Sequence, residues 1–221
     1  MLTVFENAVT AEEITHLQQQ FAQLKSTVEF DEKYLITSKD DIHDLYNLNE
    51  ESLIQQERVN IRTYPTADFV RSIVNRILPS PLKTITPIYF SRSVYPVGIH
   101  TDTNETVYQG HTLMIPLTFD DRIKTLVWKE TARGQPALNK IFHRFQQNPR
   151  SFVRQPKISN KFDLRNCWLD QPSIVDFLEL DGLAKWQAGS IFKFERQQLH
   201  ASNNYRTFVD FKDYILIHND E

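Results

Sequence analysis

Apolar residues recur at helical spacing in two early stretches of the chain. Ile14, Leu17, Phe21 and Leu24 stand three or four positions apart, the stripe of an amphipathic helix. Thr10 and Glu13 precede that stripe at capping-box spacing, where hydroxyl and carboxylate each satisfy a backbone N–H of the other residue. Phe69, Val70, Ile73, Val74 and Ile77 repeat the pattern behind Thr66, read as an N-cap, with Pro79 and Pro81 to end it. Ser38 and Asp41 offer a further cap ahead of Ile42, Leu45 and Tyr46. Residues 1–83 therefore read as a helical flank.

Beyond residue 84 the period changes. Stretches 85–95, 112–119, 125–129, 189–195 and 208–218 are short, rich in β-branched and aromatic residues, and bounded by turn formers. Short strands in this number predict an antiparallel sandwich or barrel. The core spans 84–130 and 186–218. Between them, 131–185 reads as an insert or lid: Leu138, Ile141, Phe142 and Phe145 mark a helix, and Arg150, Arg154, Lys157, Lys161 and Arg165 make the remainder basic. A packed decoration without an active role is the alternative. Helices followed by strands give one α+β, mainly β domain over 1–221.

Composition removes several function classes. The 221 residues carry a formal charge of −3, from 25 Lys and Arg against 28 Asp and Glu, which speaks against general nucleic-acid binding. With 5 glycines there is no phosphate-cradling loop motif. The single cysteine, Cys167, excludes an internal disulfide and a cysteine-built zinc site. No apolar run approaches the ~18 residues of a membrane span, and no signal segment is visible, so a cytoplasmic setting is expected. Whatever chemistry the chain performs falls to histidines and carboxylates.

The informative segment is Tyr95-Pro-Val-Gly-Ile-His100-Thr-Asp102. Side chains two apart on a strand share a face, so His100 and Asp102 can aim an imidazole and a carboxylate at one point. Those are two members of a 2-His-1-carboxylate iron site, and His200 is the candidate third. The other histidine–aspartate pair, His218 and Asp220, has no histidine after it and reads as accidental. His111 is read as structural, and His16 and His43 belong to the flank. Glu195 and Arg196 read either as a pair orienting the metal ligand or as a surface pair. Trp128 and Trp186 are read as core.

The order Y-P-V-G-I-H-T-D, T-L-M-I-P-L, T-L-V-W and W-Q-A-G-S-I-F-K-F-E-R-Q-Q-L-H resembles the Fe(II)- and 2-oxoglutarate-dependent oxygenases. It is most similar to small microbial and phage-type members with a prolyl-hydroxylase-like layout, over roughly residues 88–218. The resemblance implies a double-stranded β-helix, a jelly roll related to the cupins, with the N-terminal helices packed on one sheet. It implies that His100, Asp102 and His200 hold Fe(II), and that 2-oxoglutarate and dioxygen are cosubstrates. The far carboxylate of 2-oxoglutarate then needs a cation, for which Lys212 on the last strand is preferred over Arg206 in the turn before it. Tyr95 and Thr112, ahead of Tyr89 and Thr125, are the hydroxyls expected to assist. A small-molecule, amino-acid or peptide substrate is expected, in hydroxylation chemistry. A cupin-like metalloenzyme without 2-oxoglutarate and a non-enzymatic jelly-roll binding protein are the competing readings.

Overall fold

The computed structural model describes residues 1–27, 29–35, 54–94, 96, 100–102, 110–131, 179–203, 205 and 208–220. The expected elements at 38–46 and 135–147, the basic stretch 150–165 and the loop 103–109 lie outside these residues. The described strands are β1 (Thr3–Phe5), β2 (Glu32–Leu35), β3 (Ile54–Asn60), β4 (Ile88–Ser93), β5 (Gly110–Pro116), β6 (Asp120–Thr131), β7 (Leu180–Trp186), β8 (Ile191–Glu195), β9 (Gln198–Ser202) and β10 (Lys212–Asp220). The helices are α1 (Ala11–Thr27) and α2 (Pro65–Val74).

The strands form two antiparallel sheets, one ordered β1-β8-β5-β10-β4-β3-β2 and the other β7-β6-β9. Alternation along the large sheet divides its side chains between two cores. Leu113, Ile115, Ile215 and Ile217 face α1 and α2, where they bury Leu17, Phe21, Val70 and Ile73. Met114, Phe192, Tyr214 and Leu216 face the small sheet and pack with Ile123, Ala184 and Trp186. The result is a jelly-roll sandwich with helices on one outer face, and the space between the sheets holds the polar side chains that matter below.

The capping box at the start of α1 is present: Thr10 N–H donates to Glu13 Oε2 at 2.9 Å and Glu13 N–H to Thr10 Oγ1 at 3.2 Å. Thr66 is not the cap of α2. Tyr64 occupies that position with no side-chain bond, and Pro65 opens the helix, where a fixed φ and a missing N–H are tolerated. Thr66 falls inside the first turn, buried, with its hydroxyl on Gln20 Oε1 at 3.0 Å.

The flank is also less helical than its pattern suggests. β1 extends the large sheet beside β8, while β2 and β3 extend it beyond β4. Leu180 to Lys185, from the stretch assigned to the insert, form most of β7. His200 lies in the middle of β9.

Gly189, in the turn entering β8, has φ +80°, and its carbonyl accepts Val9 N–H at 3.1 Å. A Cβ at that position would lie 2.8 Å from the Val9 carbonyl oxygen. Gly189→Ala is expected to destabilise the fold by about 1–3 kcal/mol, the range for a side chain forced into this backbone region. Chemical denaturation of the variant measures it.

Candidate metal centre

His100 and His200 are joined through their backbones. Each N–H donates to the other's carbonyl at 3.0 Å, a single antiparallel bridge. Asp102 N–H donates to the Arg196 carbonyl at 2.9 Å. The histidine and aspartate therefore owe their meeting to bonds from β9 and from the β8–β9 turn, and not to a regular strand of their own. His200 Nε2 lies 3.5 Å from Asp102 Oδ1, and His100 Nε2 lies 3.8 Å from it. One potential ligand atom from each of the three residues falls within 4.8 Å of the others, the one group among the described residues that could hold a metal ion in this way.

Surrounding groups orient two of these three side chains. His200 Nδ1 is 3.0 Å from the Gln198 carbonyl, which holds the proton on that nitrogen and leaves Nε2 as a donor atom for a metal. The Phe194 ring lies 4.7 Å from the His200 ring. Thr112 donates its hydroxyl to Asp102 Oδ2. Burial pushes the Asp102 carboxyl up, but the imidazoles of His200, His218 and His100 outweigh it and hold the group well below the usual carboxylate range. The donor set of two imidazoles and one carboxylate, gathered on one side, fits ferrous iron with open positions.

Arg196 serves as a brace here. Its Nη2 donates to the Asp102 carbonyl at 3.1 Å, its Nη1 to Asp220 Oδ1 at 2.7 Å, and its backbone N–H to the Gly110 carbonyl at 3.1 Å. Glu195 is not its partner; that carboxylate meets the Met1 amino group at 3.1 Å. Arg196→Ala is expected to weaken Fe(II) affinity by about 10- to 100-fold, the usual cost of removing a group that orients a ligand. Competition against a metal chelator reads this directly.

A cleft of about 380 Å³, counting its mouth, opens on the three ligands and is lined further by Gln56, Arg58, Lys212, Tyr214, Thr125 and Ser202. Lys212 is 2 % exposed. Its Nζ donates to Ser202 Oγ at 2.5 Å and lies 4.3 Å from the Trp186 ring centroid and 4.9 Å from that of Tyr205. Among the described residues no carboxylate lies within ion-pair distance of it, and burial lowers its pKa to about 7. Thr125 accepts Trp186 Nε1–H at 3.0 Å. Tyr95 and Arg206, both expected near the cosubstrate, lie outside the described residues. His218 is buried on the interior face, paired in register with Thr112, and burial lowers its pKa to about 4; it is not part of the ligand group.

Gln56, Arg58 and Ser202, which line the cleft, and Trp186 and Tyr205, whose rings lie beside Lys212, are residues that sequence reasoning missed or left in the core. For Gln56 and Arg58 a signal existed: they alternate with Glu57, Val59 and Ile61, of which Val59 and Ile61 are buried.

No protein-family model and no curated protein matches the sequence. Solved structures do match in fold. The chain aligns over 99% of its length, and 79% of the other chain, with the non-heme alpha ketoglutarate dependent carbocyclase SnoK from nogalamycin biosynthesis, at TM-score 0.57 and 10% identity. It aligns over 99% of its length, and 83% of the other, with a prolyl hydroxylase from Trichoplax adhaerens in complex with a hypoxia inducible factor peptide, at TM-score 0.54 and 9% identity. EctD from S. alaskensis, solved with 2-oxoglutarate and 5-hydroxyectoine, matches over 99% of this chain and 72% of its own, at TM-score 0.54 and 13% identity. The fold is thus the double-stranded β-helix of these oxygenases. No helix among the described residues is long and apolar enough to cross a membrane.

Proposed function

We propose that the protein is an Fe(II)- and 2-oxoglutarate-dependent dioxygenase that hydroxylates a C–H bond of its substrate, releasing succinate and carbon dioxide. The observation that carries this reading is one cleft holding both the His100, Asp102 and His200 group and the buried cation Lys212. His100, Asp102 and His200 would hold the iron. Bound there, iron with 2-oxoglutarate and dioxygen would supply the oxidising chemistry for hydroxylation of the C–H bond.

The chain's own side chains position and exclude. Thr112 and Gln198 hold Asp102 and His200 in their binding orientations. Lys212 would take the far carboxylate of 2-oxoglutarate, with the Ser202 hydroxyl beside it. Trp186, Tyr205 and Tyr214 surround that ammonium with apolar surface, which removes water and strengthens its attraction for an anion. In this arrangement Thr112 acts on the cosubstrate site through Asp102. The cavity-facing Lys212 also favours this reading over a cupin-like enzyme that works without 2-oxoglutarate, since such an enzyme has no use for a cation at this place.

The test is succinate release from 2-oxoglutarate with Fe(II) in air. Slow release without a primary substrate, dependent on iron and absent in His200→Ala, is the expected result. Stoichiometric iron binding with no 2-oxoglutarate consumed under any condition supports the cupin-like alternative.

A further inference from the structure

In succinate release without a primary substrate, one oxygen atom has no destination. Each such turnover passes one atom of dioxygen to succinate, and the other needs an acceptor within the cleft. Among the described residues that line it, Met114 carries the one sulfur. Met114 stands on β5 two positions beyond Thr112, whose hydroxyl holds Asp102. The two side chains share the interior face, with about 7 Å of strand between their backbones. Met114 pairs in register with Leu216 on β10 and with Phe192 on β8. Leu216 lines the same cleft.

The neighbours are poorer acceptors. Leu216 offers only strong C–H bonds. The Tyr214 hydroxyl is engaged by Gln56 and lies 3.2 Å from Ser93 Oγ, and its ring yields only by replacement of a C–H bond. A thioether takes an oxygen atom on a sulfur lone pair, with no C–H bond to break. Oxidants in solution meet a different order of preference. Met114 is 8 % exposed and Met1, the chain's other methionine, 77 %. Chemistry from the solvent side therefore selects Met1, and chemistry from the cleft selects Met114.

We propose that, when no primary substrate occupies the cleft, the enzyme oxidises its own Met114 to the sulfoxide and so switches itself off. This goes beyond the dioxygenase reading and rests on it. In the step, the O–O bond of dioxygen and the C1–C2 bond of 2-oxoglutarate break, while a C–O bond of succinate and the S–O bond of the sulfoxide form. Dioxygen takes four electrons, two from the decarboxylation and two from sulfur, and no proton is gained or lost. The sulfoxide sets a polar oxygen among Phe192, Trp186, Tyr214 and Leu216, the cluster between the sheets, which disrupts that wall of the cleft.

The experiment incubates the full chain with Fe(II), 2-oxoglutarate and air, without a primary substrate and with catalase to remove peroxide. Succinate and the masses of the peptides containing Met1 and Met114 are followed together. The Met114 peptide is expected to gain one oxygen, about 16 Da, or about 18 Da under dioxygen labelled with the heavy isotope. Sulfoxide content should rise as succinate release slows, with no gain under nitrogen, without 2-oxoglutarate, or in His200→Ala. Met114→Leu, a swap of similar volume, should release succinate at a rate that does not decline over the same interval. On the metal-free protein, dilute hydrogen peroxide should oxidise Met1 roughly tenfold or more faster than Met114, as exposure dictates. An unmodified Met114 after sustained succinate release overturns the proposal, as does an oxygen added to another cleft residue instead, or equal peroxide rates at the two methionines. A decline in Met114→Leu equal to that of the wild type also overturns it. The peptide masses are read on the wild type, so poor folding of Met114→Leu leaves the test standing. Absence of succinate release in the wild type sinks the dioxygenase reading instead.

Discussion

Asp102→Ala is expected to lose Fe(II) affinity by more than ~100-fold, beyond the effect of removing a mere orienting group, and to abolish 2-oxoglutarate turnover. Asp102 is the one anionic ligand in the group, and its Oδ1 is the atom nearest both imidazoles, 3.5 Å from His200 and 3.8 Å from His100. Removing it leaves two neutral rings, which bind a divalent cation weakly, and strands the Thr112 hydroxyl without its acceptor. Asp102→Asn keeps the shape and the Thr112 contact but not the charge. It should fold as the wild type does and still fail to hold iron at micromolar metal. Metal analysis after gel filtration, with circular dichroism as the folding control, reads both variants. Retention of one iron per chain by Asp102→Asn would falsify the ligand assignment.

Lys212→Met should have two opposite effects. Affinity for 2-oxoglutarate should fall by a factor corresponding to about 2–5 kcal/mol, the usual loss when one partner of a buried charge pair is truncated. The protein without ligands should become more stable, because an ammonium buried among Trp186, Tyr205 and Tyr214 is exchanged for an apolar chain of similar length. The pH dependence follows from the same burial. The folded-state pKa of Lys212 is about 7, against 10.5 for an ordinary lysine, so between those values the unfolded chain binds one more proton than the folded one. Stability of the unliganded wild type should therefore rise with pH across that window, and the penalty is fully present below it. Lys212→Met should lack this rise. Affinity for 2-oxoglutarate, which selects the protonated amine, should weaken toward tenfold per pH unit above about 7. Thermal unfolding and anaerobic titration as functions of pH measure both halves. If Lys212→Met binds 2-oxoglutarate as the wild type does, the cation for the far carboxylate lies elsewhere, with Arg206 the first alternative.

The parts of this molecule that obey one simple period were legible from residues alone. α1 shows its stripe and its capping box, and the strands β4, β5, β8 and β10 show short β-branched and aromatic runs because one of their faces packs on the helices and the other towards the small sheet. The pairing of His100 and Asp102 with His200 was legible as well, from the spacing of the motif and the resemblance around it, although the backbone bridge that unites them was not. What escaped was the part of the site that comes from β3 and, apart from His200, from β9. In β3 the positions facing the cleft are polar, Gln56 and Arg58, so its alternation reads as a solvent-facing segment when the interior it lines is itself polar. Gln198 to Ser202 are buried throughout, including Gln198, His200 and Ser202, and a strand with buried polar residues lacks the apolar run that marks one. Strand period puts Lys212 on one face with Tyr214 and Leu216, but the sequence left open whether that face points inward; in the structure all three line the cleft. The aromatic surroundings of Lys212 come from Trp186 and Tyr205, distant in sequence and joined to it only by the packing of the two sheets.

The most direct test is X-ray diffraction from crystals grown with Fe(II) under nitrogen, with anomalous differences collected on both sides of the iron absorption edge. The account predicts one strong iron peak per chain, bonded to His100, Asp102 and His200 together. A peak at any other group of side chains, or none at full metal loading, contradicts it.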